Sequence, residues 1–166
     1  TGAAAAFFEG GTTIHSFAGV GTGDASVRSL VEKVRNDKKA TERWRSCKAL
    51  VIDEVSMIKA DFFTKLEAVA RAIHNNQKPF GGIQVICSGD FLQLPPVITV
   101  NTDNREDVDA KTFAFQSEAW DTCIHEVLEL RTVVRQADAD FVELLNQLRW
   151  GNITQSGIQR LRACMR

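Results

Sequence analysis

The sequence predicts an α/β fold in which helices flank a mostly parallel sheet. Two short segments, 48–54 (KALVIDE) and 82–89 (GIQVICSG), are rich in Val and Ile and are bounded by polar or turn residues, as strands are. Their apolarity is continuous rather than alternating, which predicts strands covered on both faces. The intervening residues 59–76 have apolar side chains at helical spacing: Phe62, Leu66, Val69, Ala70 and Ile73. Strand, helix and strand in this order predict a parallel crossover unit.

Other segments continue the alternation of strands and helices. Amphipathic spacing predicts further helices at 27–36, 139–150 and 157–165. Residues 126–130 form a third apolar run, which is interpreted as another strand, and the polar stretch 101–109 is interpreted as a surface loop. The 166 residues suit one domain, 1–166, of the α/β class.

Composition excludes several classes of protein. Apolar residues make up 44% and charged residues 25%, which is typical of a globular protein with a buried core. A net charge of −1 excludes a protein that coats nucleic acid by charge alone, but not one that holds a single strand in a local groove. The four cysteines form no CxxC pair and predict reduced thiols in an intracellular protein. No apolar run approaches the ~18 residues of a membrane span.

Two carboxylates, Asp53 and Glu54, directly follow the first predicted strand. In open α/β sheets, ligands bind at the carboxyl ends of the strands. An Asp at this position can hold Mg²⁺, and a neighbouring Glu can orient or deprotonate an attacking water. The same pair also suits a strand that simply ends in solvated acids, so the pair alone does not decide between the two interpretations.

The second predicted strand ends in the polar segment 88–96 (SGDFLQLPP), which would lie beside Asp53 and Glu54 if the strands are neighbours. Gln93 can both donate and accept hydrogen bonds, which suits a sensor of the γ-phosphate of a nucleotide. The alternative is an exposed Gln between a Gly-Asp turn and a Pro-rich stretch. Together, the two strand ends favour a nucleotide hydrolase.

Basic residues follow the third apolar run. Arg131 and Arg135 could each clamp a phosphate and stabilise the charge that develops during hydrolysis. A surface position explains any single Arg equally well, and the sequence leaves both possibilities open.

The segment 10–19 (GGTTIHSFAG) has residues that suit contact with nucleic acid. Thr hydroxyls and backbone N–H groups such as those of Thr13 can hold phosphates. The rings of His15 and Phe17 could stack on bases, which is worth ~1–3 kcal/mol per base. The alternatives are a capping or core role for His15 and a core role for Phe17.

In this order, the segments resemble the petite integration frequency (PIF) family of DNA helicases, in superfamily one, over nearly the whole chain. The resemblance extends over the Thr-Gly-Ala start, GGTTIHSFAGVG, VIDEVSM, LEAVARAIHNNQKPFGGIQ, SGDFLQLPPV, FAFQSEAW and LRTVVRQ. The combination of PFGGIQ with GDFLQLPP is its most specific part. An alternative relative, the RecD exonuclease subunit, shares the second motif, but the PFGGIQ segment argues against it.

The resemblance implies a RecA-like P-loop NTPase domain, truncated at its N-terminal side, that uses ATP and Mg²⁺. It implies that Asp53 binds Mg²⁺, that Glu54 activates water, that Gln93 senses the γ-phosphate and that Arg135 contacts phosphate. Residues expected to face single-stranded DNA are Thr1, Thr13, His15 and Phe17. The helix 61–76 and the turn 79–82 are expected to brace the strands.

The family implies a function for the whole protein. Members translocate 5′→3′ on single-stranded DNA, unwind duplexes and G-quadruplexes, and act in telomere maintenance, DNA repair, recombination and mitochondrial DNA maintenance. By the same resemblance, we expect a monomer that is not bound to membranes, in the nucleus or the mitochondrion.

The sequence departs from the family pattern in three ways. No GxxxxGK[ST] loop occurs, the second motor domain expected after Arg166 is absent from this sequence, and AAAAFFEGG stands where the family has an apolar residue after the first Gly. We therefore expect a partial first motor domain that lacks its phosphate loop and the second motor domain, and that by itself hydrolyses little or no ATP. The alternative is a degenerate domain of this kind that binds single-stranded DNA without hydrolysis.

Overall fold

The architecture comes from a computed structural model, which describes residues 2–6, 9–97 and 113–165. The chain divides into two compact units, Thr1–Glu126 and Val127–Arg166. Two sequence predictions, the DNA contact of Thr1 and the surface loop at 101–109, lie outside the described residues.

The described part of the first unit contains six helices and two strands. The helices are α1 (Gly2–Ala5), α2 (Ile14–Ala18), α3 (Val27–Asn36), α4 (Lys38–Ser46), α5 (Ala60–His74) and α6 (Glu118–Cys123). The strands are β1 (Ala49–Ile52) and β2 (Gln84–Cys87), and short 3₁₀ turns lie at Val55–Met57, Pro79–Gly82 and Ala114–Gln116. The second unit contains α7 (Ala139–Arg149) and α8 (Gln155–Ala163), near the predicted positions.

The predicted crossover unit is confirmed. Strands β1 and β2 pair in parallel, with Ala49 opposite Gln84 and Ile52 opposite Cys87. Helix α5 connects them, as the helical spacing of its apolar residues predicts. Parallel pairing puts the carboxyl ends of both strands at one edge of the sheet, where the candidate catalytic residues follow.

The sheet is covered on one face only within the described part of the chain. Leu50 and Ile52 are buried in the core, but Val51 is 58% exposed and Ile86 is 46% exposed. The prediction that both faces are covered is therefore wrong for these residues. Continuous apolarity shows that a strand can be buried on both faces, but it does not show that other elements pack on both of them.

Helix α5 forms the centre of the core. Phe63 is completely buried, and its ring contacts Phe80 at a centroid distance of 5.4 Å and Trp120 at 5.5 Å. Edge-on and tilted aromatic pairs of this kind stabilise a core beyond the area that they bury. The helix therefore connects the two strands in sequence and packs against α6 in space.

The turn Pro79–Gly82 is held tightly against α5. Phe80 has a φ of 47° and Gly81 a φ of 63°, both in the left-handed region. A Cβ at Gly81 would lie 2.7 Å from the carbonyl oxygen of Ala70, so the helix leaves no room for a side chain. The backbone N–H of Phe80 donates to Oε1 of buried Glu67 at 3.3 Å. The same oxygen lies 2.7 Å from Nε of Arg71, an ion pair that is not aligned as a hydrogen bond.

The third predicted strand is wrong. Residues 126–130 have no regular structure and pair with no strand among the described residues. Val127 is 83% exposed, Leu128 88% and Leu130 96%. An apolar run becomes a strand only where a neighbouring strand satisfies its backbone groups, and no such neighbour is described here.

Candidate functional site

The segments that follow β1 and β2 are hydrogen-bonded to each other. The backbone N–H of Ser88 donates to the carbonyl of Ile52 at 2.8 Å, and that of Val55 donates to the carbonyl of Ser88 at 3.0 Å. A Cβ at Gly89 would lie 2.9 Å from the backbone nitrogen of Val55, so this close approach requires glycine. The Asp53–Glu54 turn therefore lies directly against the start of the segment that contains Gln93.

Glu54 has an unusual backbone conformation. Its φ of 55° and ψ of 44° place a non-glycine residue in the left-handed region, which costs about 1–3 kcal/mol. Glu54 is half-buried and Asp53 is exposed, and the Val55–Met57 turn that follows leads into α5. Strain of this kind is concentrated at functional sites, which makes this turn the strongest candidate for the chemistry.

An open cleft with a volume of ≈ 660 Å³ joins the acidic turn to the predicted DNA-contacting segment. Its walls include Asp53, Glu54 and the exposed side of β1, together with Thr13, His15 and Phe17. The structure thus brings together five of the side chains that the sequence singled out.

Gln93 does not line this cleft. It is exposed, and its Nε2 donates to Oδ2 of Asp90 at 3.1 Å. Asp90 also accepts from the backbone N–H of Leu92 at 3.0 Å, which closes a tight turn. The segment that contains Gln93 therefore lies beside the acidic turn, while the Gln93 amide is bonded within its own loop.

Arg131 and Arg135 lie in the second unit. Nη2 of Arg131 forms an ion pair with Glu129 at 2.8 Å. Arg135 is exposed in a bend that precedes α7. The contact of Arg135 with phosphate stays a prediction.

Each predicted DNA-contacting residue in the described part of the chain also has a contact within the protein. Oγ1 of Thr13 accepts from the backbone N–H of Ser16 at 3.2 Å and so caps α2. His15 is exposed, and one face of its ring stacks on Phe62 at 4.4 Å. Phe17 is half-buried. The three side chains line the cleft, but their contact with DNA stays a prediction.

The acidic turn has carboxylates of the kind that a magnesium–nucleotide site uses. No group of three or more His, Cys, Asp or Glu side chains gathers as possible metal ligands among the described residues. Mg²⁺ is usually held by one or two carboxylates together with phosphate oxygens and water. Asp53, exposed at the strand edge and followed by Glu54, fits this pattern.

The cysteines are free, and three of them have shifted pKa values. Burial raises the pKa of Cys87 to about 12, and the nearby thiol of Cys123 adds to the effect. Burial also raises the pKa of Cys47 and of Cys123. These three thiols are therefore protonated at neutral pH, which makes them poor nucleophiles.

Sequence reasoning missed Ser56. This residue is completely buried two positions after Glu54, and its hydroxyl has no hydrogen-bond partner among the described residues. Buried hydroxyls are normally paired, so an unpaired hydroxyl two residues after the strained backbone of Glu54 marks the same turn independently. The sequence marks Ser56 only as a polar residue within the otherwise apolar run 55–58 (VSMI) and as part of the VIDEVSM segment.

The fold is similar to that of solved Pif1 helicases. The Pif1 helicase of Candida albicans superposes with a TM-score of 0.83 at 41% identity, over 91% of this chain and 33% of that one. A Bacteroides Pif1 helicase, solved in complex with ADP-AlF3 and ssDNA, gives a TM-score of 0.75 at 29% identity, over 90% of this chain and 35% of that one. The RecA-like α/β class predicted from the sequence is confirmed.

Sequence comparison identifies the family. Residues 1–158 match the profile of the PIF1-like helicases, and the chain belongs to this family. The ATP-dependent DNA helicase PIF1 of Xenopus laevis is 45% identical over 97% of this chain and 24% of its own length. The ATP-dependent DNA helicase RRM3 of Saccharomyces cerevisiae is 40% identical over 87% of this chain and 19% of its own length. The chain thus spans about a quarter or less of these relatives. None of its described helices is both long enough and apolar enough to cross a membrane.

Proposed function

We propose that the protein containing this chain is an ATP-dependent DNA helicase that moves 5′→3′ on single-stranded DNA and unwinds duplexes. The observation that carries the proposal is the shared cleft, which joins the strained Asp53–Glu54 turn to the segment with Thr13 and His15. Relatives named ATP-dependent DNA helicases and a related structure with ADP-AlF3 and ssDNA support it.

The acidic turn has the roles expected of such an enzyme. Asp53 would hold the Mg²⁺ that accompanies ATP, and the ion would supply positive charge beside the phosphates. Glu54 orients the attacking water and accepts its proton. Gln93 exchanges its bond to Asp90 for one to the γ-phosphate, and Arg135 is the Arg that contacts phosphate. Residues 1–166 alone hydrolyse little or no ATP, because no GxxxxGK[ST] loop occurs in them.

On the DNA side, Thr13 contacts phosphate, and the exposed ring of His15 stacks on a base. Phe17 and Thr1 complete the predicted set. The wider function follows the family resemblance: unwinding of duplex and G-quadruplex DNA in telomere maintenance, repair and recombination, by a monomer in the nucleus or the mitochondrion that is not bound to membranes.

The test is a Glu54→Gln substitution in the intact protein. Loss of the base should lower the kcat of DNA-stimulated ATP hydrolysis by about 10²-fold or more, while the Kd for ATP changes little. Glu42→Gln is the matched control, because Glu42 is an exposed carboxylate on α4, and it should leave kcat unchanged.

Three results would contradict parts of this proposal. Normal turnover in Glu54→Gln would remove Glu54 from the chemistry. Loss of ATP binding in the same variant would give Glu54 a structural role. An intact wild-type protein that binds single-stranded DNA but never hydrolyses Mg-ATP would instead support the alternative, a degenerate binding domain.

A further inference from the structure

The short helix α2 is held at its C-terminal end by two side chains of α4. Nη2 of Arg43 donates to the carbonyl of Ser16 at 3.0 Å, and Nε of Arg43 donates to the carbonyl of Phe17 at 3.0 Å. Nε1 of Trp44 donates to the carbonyl of Ala18, also at 3.0 Å. Three consecutive carbonyls therefore receive side-chain donors from two consecutive residues, Arg43 and Trp44, which we call the α2 clamp.

The α2 clamp supplies stability that α2 lacks by itself. A helix of five residues is unstable in isolation, and its last carbonyls have no partners within the helix. Arg43 satisfies two of these carbonyls with the planar fork of one guanidinium, a geometry that the single ammonium of a lysine cannot reproduce. The position of α2 therefore depends on the shape of this side chain as well as on its charge.

The α2 clamp is itself anchored in the core. Trp44 is completely buried, and its ring packs edge-on against Phe17 at 5.1 Å. The carbonyl of Trp44 lies 2.8 Å from Nε2 of His74, at the end of α5. Near the other end of α5, Phe62 stacks on His15. Helix α2 is thus fixed from one side by α4 and from the other by α5.

We propose that Arg43 is a positioning residue for single-stranded DNA, which holds α2 so that Thr13 and His15 face the strand. The inference rests on the proposed function, since it takes α2 as the DNA-contacting element. In this proposal Arg43 acts through α2, because its Nε and Nη2 donate to carbonyls of α2. Arg45, which is exposed on the same helix, provides a matched control.

The experiment compares Arg43→Lys with Arg45→Lys in the intact protein. The Kd for a fluorescein-labelled oligo-dT is measured by anisotropy over a range of salt concentrations. ATP hydrolysis is measured against DNA concentration. Arg43→Lys should raise the Kd and the half-saturating DNA concentration roughly tenfold while the kcat at saturating DNA stays within about twofold. Arg45→Lys should change neither the Kd nor the half-saturating DNA concentration.

Salt dependence separates positioning from direct contact. Loss of a phosphate contact lowers the slope of log Kd against log salt by about one, whereas misplacement of α2 leaves the slope unchanged. Because Arg43→Lys keeps the charge, the slope is measured in Arg43→Gln, which removes it, and there we expect an unchanged slope. A slope lowered by about one would mean that Arg43 binds phosphate itself and would overturn the positioning role.

One further variant keeps the inference separate from the proposed function. His15→Ala tests the DNA contact directly and should weaken binding about fivefold or more. Normal binding in Arg43→Lys, together with weakened binding in His15→Ala, would overturn the α2 clamp but keep the proposed function. Normal binding in both variants would remove α2 from the DNA site.

Trp44→Phe provides a second test of the α2 clamp if Arg43→Lys lowers the midpoint of unfolding and its effect on DNA binding cannot be separated from a loss of stability. It keeps a buried aromatic ring and removes the bond to Ala18, so it should also raise the Kd for oligo-dT. An unchanged Kd in a folded Trp44→Phe variant would contradict the clamp.

Discussion

Glu54 and Phe80 have nearly the same backbone conformation in opposite surroundings. Both are non-glycine residues in the left-handed region, with φ values of 55° and 47°. Phe80 is buried, its N–H is bonded to Glu67, and its ring packs on Phe63. Glu54 is half-buried, and the buried hydroxyl of Ser56 beside it has no described partner. Packing and a hydrogen bond thus hold the strained backbone at Phe80, as expected of a structural turn. The equally strained backbone at Glu54 is followed by an unpaired buried hydroxyl, as expected of a functional turn.

The largest effect on stability should come from removal of the ring of Phe63, on which Phe80 packs. Phe63→Ala should lower the free energy of unfolding by about 3–5 kcal/mol, because it leaves a cavity in a fully packed aromatic cluster. Denaturant unfolding of the purified protein measures this. Leu94→Ala is the control from the loop beside Glu54. Leu94 is 70% exposed, so its loss should cost less than about 0.5 kcal/mol. If the two variants lose equal free energy of unfolding, the Phe80 turn is no more tightly packed than the loop beside Glu54.

A smaller effect is expected from Glu67→Ala. The substitution leaves the N–H of Phe80 without an acceptor, which should cost about 1–3 kcal/mol, while Glu67→Gln keeps an acceptor and should cost less. The control is Glu32→Ala, since Glu32 forms an ion pair with Arg28 at the same i,i+4 spacing on the surface. Loss of that pair should cost at most about 0.5 kcal/mol in the same unfolding measurement. If Glu67→Ala and Glu32→Ala lower the free energy of unfolding equally, the hydrogen bond from Phe80 to Glu67 does not stabilise the Phe80 turn.

The smallest effect, with the opposite sign, is predicted at the Glu54 turn. Ser56→Ala removes an unpaired buried hydroxyl and should leave the free energy of unfolding unchanged or raise it by up to about 1 kcal/mol. The control is Ser117→Ala, because the hydroxyl of Ser117 is also buried but donates to the carbonyl of Ala114 at 2.7 Å and accepts from the backbone N–H of Trp120 at 3.2 Å. Its removal should cost about 1 kcal/mol. A loss in Ser56→Ala as large as that in Ser117→Ala would show that Ser56 is bonded after all.

Long periodic segments made most of the fold predictable. Helix α5 and its two flanking strands follow directly from apolar spacing. Helix α4 was missed because only Ala40 and Trp44 of its nine residues are buried, which is too few to show a helical period. The run at 126–130 was wrongly predicted because strand formation depends on a partner that lies elsewhere in the chain.

The candidate site was predictable in its residue types but not in its geometry. The position of Asp53 and Glu54 at a strand end follows from the sequence, because parallel strands end at one edge of the sheet. The bond from Gln93 to Asp90 and the isolation of Ser56 depend on the backbone path of the turns. The α2 clamp depends on contacts between residues 26 and 27 positions apart, which no local pattern encodes.

Helix α5 connects these regions mechanically. It has 15 residues and is therefore roughly 22 Å long, with the Val55–Met57 turn attached at its start and Phe80 packed against its body. If the helix tilts as a rigid body, each degree of tilt at one end displaces the other end by about 0.4 Å. A tilt of the helix at the Glu54 turn would therefore displace its other end, at His74, in proportion to the length of the helix.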